Sequence, residues 1–261
     1  MMNIALILAG GSGTRMGSAV PKQFLPLAGR EVILRTLDAF ESHSQIDAIW
    51  VVCGEAWLSH MEALVVKAGL QKVRGILPGG GTRRESSFLG LLALEEECSP
   101  EDIVLIHDAA RPLVSERMIS DCIACLQRGG GAAYPRHTSI TACPNCTSLT
   151  ACTVAIPARD TILVSADGKR ADRVPERSTL YAVQTPQAFR LGVILEGHRR
   201  CPAEQAVTDD AGILLAQGVE VRLVDGEVRN LKITSAEDME IAEALLRRGT
   251  ASGENEAKAE V

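Results

Sequence analysis

The chain lacks any apolar run of the about 18 residues that a membrane span needs, and its start has neither a basic segment nor a long apolar stretch behind it. It also lacks a basic excess: 27 Lys and Arg against 33 Asp and Glu leave a formal charge of −6. A nucleic-acid binder that works through phosphate-backbone affinity needs a basic face, so that class is excluded and the cations present must act locally. A cytoplasmic protein with no membrane and no nucleic-acid partner is expected. With no export signal to accompany them, the eight cysteines read as reduced thiols, and Cys53 at a strand end reads as core.

What is present is apolar mass with a regular rhythm. A chain of 261 residues at 46% hydrophobic content can bury one large core. Strand-type runs stand at Ile4–Leu8, Ala48–Cys53, Val73–Leu77, Ile103–His107, Ala132–Tyr134, Tyr181–Gln184 and Val219–Val224. Helical patterns lie between them at Val32–Phe40, Trp57–Ala68, Glu85–Glu97, Glu116–Gln127, Leu191–Arg199, Asp209–Gln217 and Ala236–Arg248. Strand and helix in turn imply an α/β fold with a mainly parallel sheet, helices on both faces, and ligands at the carboxyl ends of the strands. Residues 135–179 break the rhythm and read as a projecting β-arm with pieces at Thr153–Ile156 and Thr161–Val164; the alternative is a disordered insert. Residues 1–250 are expected to form a single domain, and 251–261 a disordered tail.

Residues 9–22 place a glycine-rich loop directly after the first strand and end it on fixed cations. Gly10, Gly11, Gly13 and Gly17 allow backbone N–H groups to converge on an anion, and Arg15 and Lys22 add full charges. A nucleotide triphosphate suits that arrangement; a turn with solvated cations is the bland alternative. Lys22 is followed by Gln23, so the magnesium-holding hydroxyl of a Walker A loop is missing. Gly11, Gly13 and Gly17 are spaced one residue too widely for a dinucleotide fingerprint.

Two further strand exits carry chemistry. His107-Asp-Ala-Ala-Arg-Pro112 puts Asp108 at the sheet edge, where it can hold magnesium or a substrate hydroxyl, and Arg111 in a turn, where it can fork onto phosphate. His107 receives no role. In Pro78-Gly-Gly-Gly-Thr-Arg-Arg-Glu-Ser86, the glycines let a flat base lie on the backbone, while Ser86 either hydrogen-bonds that base or caps the next helix.

These segments, with Pro21-Lys-Gln-Phe, Arg159-Asp-Thr, Gln184-Thr-Pro-Gln, Thr208-Asp-Asp and Asn230-Leu-Lys-Ile-Thr, resemble the 2-C-methyl-D-erythritol 4-phosphate cytidylyltransferase family over residues 3 to about 248. Ribitol 5-phosphate cytidylyltransferases share much of the pattern. The resemblance implies a Rossmann-like nucleotidyltransferase fold that transfers CMP from CTP to a polyol phosphate and releases pyrophosphate, in a homodimer joined through the β-arm. By that likeness Ala9, Gly10, Gly11 and Ser12 line the nucleotide and Gly80, Gly81 and Ser86 read the cytosine. Arg15 and Lys22 match transition-state cations. Arg177 and Lys232 match residues that position the substrate phosphate, and Asp108, Arg111, Thr161, Thr185 and Thr208 match other polyol-phosphate contacts. Mg2+ is implied as cofactor, held mainly by the CTP phosphates, with no residue assigned as a protein metal ligand.

Physical chemistry agrees with that residue list. A phosphate monoester with a second pKa of roughly 6 is largely a dianion at neutral pH, so no general base is required of the protein. Charge neutralisation is what the reaction needs. Two readings stay open for the insert between Tyr134 and Ala155: Cys122 and Cys125 as small apolar core, or a metal or disulfide using Cys143, Cys146 and Cys152. Two alternative functions stay open as well, a cytidylyltransferase for another polyol phosphate such as ribitol 5-phosphate, and a non-catalytic nucleotide-binding protein.

Overall fold

Strands that are apolar at every position demand cover on both faces. The computed structural model, which describes residues 1–11, 20–127, 149–202 and 207–259, shows how that cover is supplied. In chain order the elements are β1 (Asn3–Ala9), β2 (Pro26–Leu27), β3 (Arg30–Glu31), α1 (Val32–Glu41), β4 (Ala48–Cys53), α2 (Leu58–Ala68), β5 (Val73–Pro78), α3 (Arg83–Glu97), β6 (Ile103–Asp108), α4 (Glu116–Gln127), β7 (Ala151–Pro157), β8 (Tyr181–Arg190), α5 (Leu191–Arg200), α6 (Asp210–Leu215), β9 (Arg222–Asp225) and α7 (Ala236–Ala259). A seven-stranded sheet runs in the order β5-β4-β1-β6-β8-β7-β9. Its pairings are parallel except that β8 runs antiparallel to both neighbours.

β1 divides its side chains between two cores. Ala5, Ile7 and Ala9 join Ile33, Leu37, Met61 and Met118 of α1, α2 and α4 on one face. Ile4, Leu6 and Leu8 join Leu91, Leu94, Ile194 and Leu214 of α3, α5 and α6 on the other. α3 lies especially close, because Gly90 packs where a Cβ would stand 2.7 Å from Leu6 Cδ1. A smaller cluster of Leu27, Val32, Leu113 and Ile233 with Ala242 docks α7 beside the site edge.

Several expectations need correction. Residues 151–157, expected in the arm, form β7 inside the sheet, between β8 and β9. The excursion is shorter: Ala158 N–H donates to Leu180 O at 2.9 Å at its base, and farther out its strand-type pairing is limited to the isolated bridge Val164–Arg173. β8 continues through Pro186 to Arg190, beyond the expected stop at Gln184. The β7–β8 register shifts between Thr153 and Ala155, close to Pro186, so the missing N–H falls where the ladder is already irregular. α7 runs to Ala259 and takes in most of the segment expected to be a disordered tail; its Ala, Glu and Lys content favours helix. The expected strand 132–134 and Cys143 and Cys146 lie outside the described residues. Cys152 is fully buried in β7 with its Sγ 3.7 Å from Cys122 O, so it joins Cys122 and Cys125 in the core and not the insert.

Candidate active site

Parallel strands finish at one edge, so Ala9, Cys53, Pro78 and Asp108 end side by side there. The reversed direction of β8 brings its first half to the same edge, where Thr185 Oγ1 accepts the Asp108 N–H at 3.1 Å. A cavity of about 490 Å3 opens along this edge, lined by Ala9, Gly10, Gly11, Lys22, Gly80 and Gly81 and reaching Arg83, Asp108 and Lys232. A second cavity of about 370 Å3 is lined by Arg111, Gln184, Thr185, Gln187 and Thr208, and Arg83, Asp108 and Lys232 wall it too.

In the first cavity, buried Gln23 donates from Nε2 to Ala9 O at 2.6 Å and Gly11 O at 3.1 Å. That anchors the short turn Lys22–Phe24 to the strand exit, and Phe24 stacks on Trp57 with centroids 4.8 Å apart. Lys22 is thereby set on the wall by fixed neighbours. Across from it, Ser86 is buried, accepts the Gly80 N–H at 3.1 Å and donates to Thr82 O at 2.9 Å. The capping reading of Ser86 is corrected: Thr82 caps α3, in a capping box with Glu85, and the helix begins at Arg83, two residues before the expected start. A Cβ at Gly79 would meet Ser86 Oγ at 2.9 Å, so glycine is what allows the loop to fold over that hydroxyl.

Asp108 is the electrostatic centre. Lys232 Nζ lies 2.7 Å, Arg83 Nε 3.3 Å and Arg111 Nε 3.9 Å from its carboxylate. Burial alone would raise its pKa, yet the adjacent Arg83 and Lys232 charges hold it well below the usual carboxylate range. Burial pulls the Arg111 pKa down, against the attraction of Asp108. Lys232 is carried by a pinned segment: Asn230 Nδ2 donates to Thr185 O at 2.9 Å, Arg111 Nη1 donates to Asn230 O at 2.7 Å, and Ile233 N–H donates to Ala110 O at 2.8 Å. His107 is a strut within this frame. Its Nε2 meets Arg111 O at 3.1 Å and its Nδ1 meets Thr185 Oγ1 at 3.0 Å, which fixes Nε2 as donor and Nδ1 as acceptor. Burial, above the opposing hydrogen bond, lowers its pKa to about 4, so it is neutral near pH 7.

The expected residues Ala9, Gly10, Gly11, Lys22, Gly80, Gly81, Ser86, Asp108 and Lys232 thus surround one cavity, and Asp108, Arg111, Thr185, Thr208 and Lys232 the other. Thr161 and Arg177 line neither; they stand exposed on the excursion, where Arg177 Nη1 meets Arg159 O at 3.4 Å. Ser12 and Arg15 lie outside the described residues. Sequence reasoning gave no role to Arg83, which walls both cavities, nor to Gln187 and Asp210 behind it. Arg83 falls within Pro78–Ser86, Gln187 within Gln184-Thr-Pro-Gln and Asp210 within Thr208-Asp-Asp, segments that carry the family resemblance, which marks these positions but not their pairing. Lys22, Arg83, Arg111 and Lys232 outnumber Asp108 and Asp209 among the described lining residues, a balance that suits phosphate-bearing ligands.

A family model described as "IspD: 2-C-methyl-D-erythritol 4-phosphate cytidylyltransferase" matches residues 3–248. A 2-C-methyl-D-erythritol 4-phosphate cytidylyltransferase of Thermobifida fusca is 40% identical over 95% of this chain and 94% of its own length. A ribitol-5-phosphate cytidylyltransferase of Vibrio parahaemolyticus is 39% identical over 94% of this chain and 96% of its own. Among solved structures, a 4-diphosphocytidyl-2C-methyl-D-erythritol synthase of Anaerococcus prevotii superposes with a TM-score of 0.76 at 28% identity, covering 94% of this chain and 96% of that one. The chain therefore belongs to the 2-C-methyl-D-erythritol 4-phosphate cytidylyltransferase family of nucleotidyltransferases.

Proposed function

We propose that the chain transfers CMP from CTP to 2-C-methyl-D-erythritol 4-phosphate, giving 4-diphosphocytidyl-2-C-methyl-D-erythritol and pyrophosphate. The observation that carries this reading is the pair of adjoining cavities with a common wall of Arg83, Asp108 and Lys232. CTP fits the glycine-lined cavity, its base over Gly80 and Gly81 and its phosphates toward Gly10, Gly11 and Lys22; Ser12 and Arg15 belong with them by the family pattern. The acceptor fits the second cavity, its phosphate toward Lys232 and Arg111 and its hydroxyls toward Asp108, Thr185 and Thr208. A phosphate oxygen of the acceptor attacks the α-phosphorus of CTP, the bond to the bridging oxygen breaks, and pyrophosphate carries away the electron pair. No proton needs to move before attack, in keeping with a site built of cations and a neutral, fully engaged His107.

The donor set also fits magnesium carried by the nucleotide. Asp108 is the only carboxylate among the described residues of the first cavity, and cations already surround it, so phosphate oxygens are the natural ligands. When bound, magnesium supplies charge neutralisation on the phosphates. The exposed Ile162, Leu163 and Val174 of the excursion support its role as a dimer contact, and that contact is how Thr161 and Arg177 reach a site. A cytoplasmic setting accords with CTP as donor and with the free thiols among the described residues.

The Vibrio relative favours ribitol 5-phosphate as the second acceptor to test. The deciding measurement is pyrophosphate release from CTP and magnesium with a panel of polyol phosphates. Preferred turnover of 2-C-methyl-D-erythritol 4-phosphate is expected; exclusive use of ribitol 5-phosphate would replace the acceptor, and no release with any member would remove the catalytic reading.

A further inference from the structure

Arg83 is held from behind by a buried carboxylate that lines neither of the two larger cavities. Arg83 Nη1 lies 2.7 Å from Asp210 Oδ2, and Nε lies 3.3 Å from Asp108 Oδ1, so one guanidinium bridges two acids. Asp210 is 1% exposed. Its other oxygen, Oδ1, accepts from Ser87 Oγ at 2.6 Å and meets His198 Nε2 at 2.9 Å. Its backbone N–H donates to Gln187 Oε1 at 3.1 Å. Groups from α3, α5 and β8 thus converge on the first residue of α6. Phe88 lies stacked on the His198 ring, 3° from parallel and 5.7 Å away, which fixes the imidazole. Nη2 of Arg83 makes no hydrogen bond among the described residues, and Arg83 walls both cavities.

An arginine on an exposed helix start would sample many rotamers, and phosphate binding would have to order it. Here the fork is ordered in advance. We infer that Asp210 is a positioning residue: it holds the Arg83 guanidinium on the wall common to both cavities, where Arg83 senses phosphate in either one. Ser87 of α3 and His198 of α5 in turn hold Asp210, so the restraint reaches Arg83 through the helices packed on its own face of the sheet. The clamp also divides labour between the acids. Asp108 is shared with Lys232 and Arg111 and is open to exchange with a substrate hydroxyl, whereas Asp210 is sealed and keeps Arg83 in place when Asp108 changes partner.

This inference rests on the cytidylyltransferase reading, and a double-mutant cycle separates the two. Wild type is first assayed with Mg–CTP and 2-C-methyl-D-erythritol 4-phosphate; lack of turnover there counts against the function and not the clamp. Asp210→Asn is expected to lower kcat/KM by about tenfold or more, and Arg83→Gln by at least as much. In the Arg83→Gln background, Asp210→Asn is expected to add less than about threefold, because the group it positions is gone. An undiminished Asp210→Asn effect in that background would show a general structural role and overturn the inference, as would a folded Asp210→Asn enzyme of wild-type activity. Should Asp210→Asn fail to fold, the Arg83 Nε–H resonance of the wild-type protein, assigned through Arg83→Lys, provides the decision. It is expected to shift with Mg–CTP alone and with 2-C-methyl-D-erythritol 4-phosphate alone; a response to only one of them would overturn the placement.

Discussion

Single side chains in this protein act through what fixes them. Lys22 stands on a turn tied down by Gln23 and Phe24, so its charge is preorganised for phosphate. Lys22→Ala is expected to lower turnover by about 100- to 1000-fold, with CTP affinity much less affected; near-normal steady-state turnover would remove Lys22 from the mechanism. His107 gives a stability test. Its pKa is about 4 in the fold and 6.5 as the reference, so between those values the unfolded chain binds a proton that the native state refuses. Its contribution is full above pH 6.5 and is lost as pH falls toward 4. From pH 7.5 to 5 that loss amounts to about 2 kcal/mol, and urea denaturation of His107→Asn is expected to show a pH slope flatter by that amount. Asp108 and Lys22 were legible in the sequence because a strand exit and a glycine loop announce them, and Lys232 was legible through the family resemblance alone. The role of Arg83 was not, because its partner Asp210 lies 127 positions away and only the packing of α6 against α3 reveals it.

Elements explain which parts of the fold could be read. β4, with Ile4–Ala9 of β1 and Ile103–Ile106 of β6, makes unbroken apolar runs, and parallel strands buried on both faces leave that signature. β8 was half hidden by Pro186, and β7 was mistaken for arm because its partner β9 arrives about 70 residues later, a pairing local pattern does not encode. Helix α3 shows what close packing demands. Gly90→Val would drive methyl groups into Leu6 and Val52, and a loss of about 1–3 kcal/mol is expected from chemical denaturation, with an unchanged midpoint as the contrary result. Since α3 follows the glycine loop, holds Ser86 beneath it and carries Arg83, the same variant is expected to reduce CTP affinity through displacement of the helix start.

At the scale of the whole molecule, the question is whether Thr161 and Arg177, which line neither cavity, serve a site at all. If each excursion serves the neighbouring subunit, Lys22→Ala and Arg177→Ala homodimers, each impaired, should complement when their subunits are exchanged. The mixed dimer would hold one site with both defects and one with neither, and an equal mixture should recover about a quarter of wild-type activity. Absence of recovery after verified exchange would confine each excursion to its own subunit. The shared wall of Arg83, Asp108 and Lys232 has a further consequence for chemical design. A single compound that joins a cytidine phosphonate to a phosphorylated sugar alcohol would meet the same three side chains from both directions. Its second half would dock at a high effective concentration set by the tether, with the loss of overall tumbling freedom incurred only once.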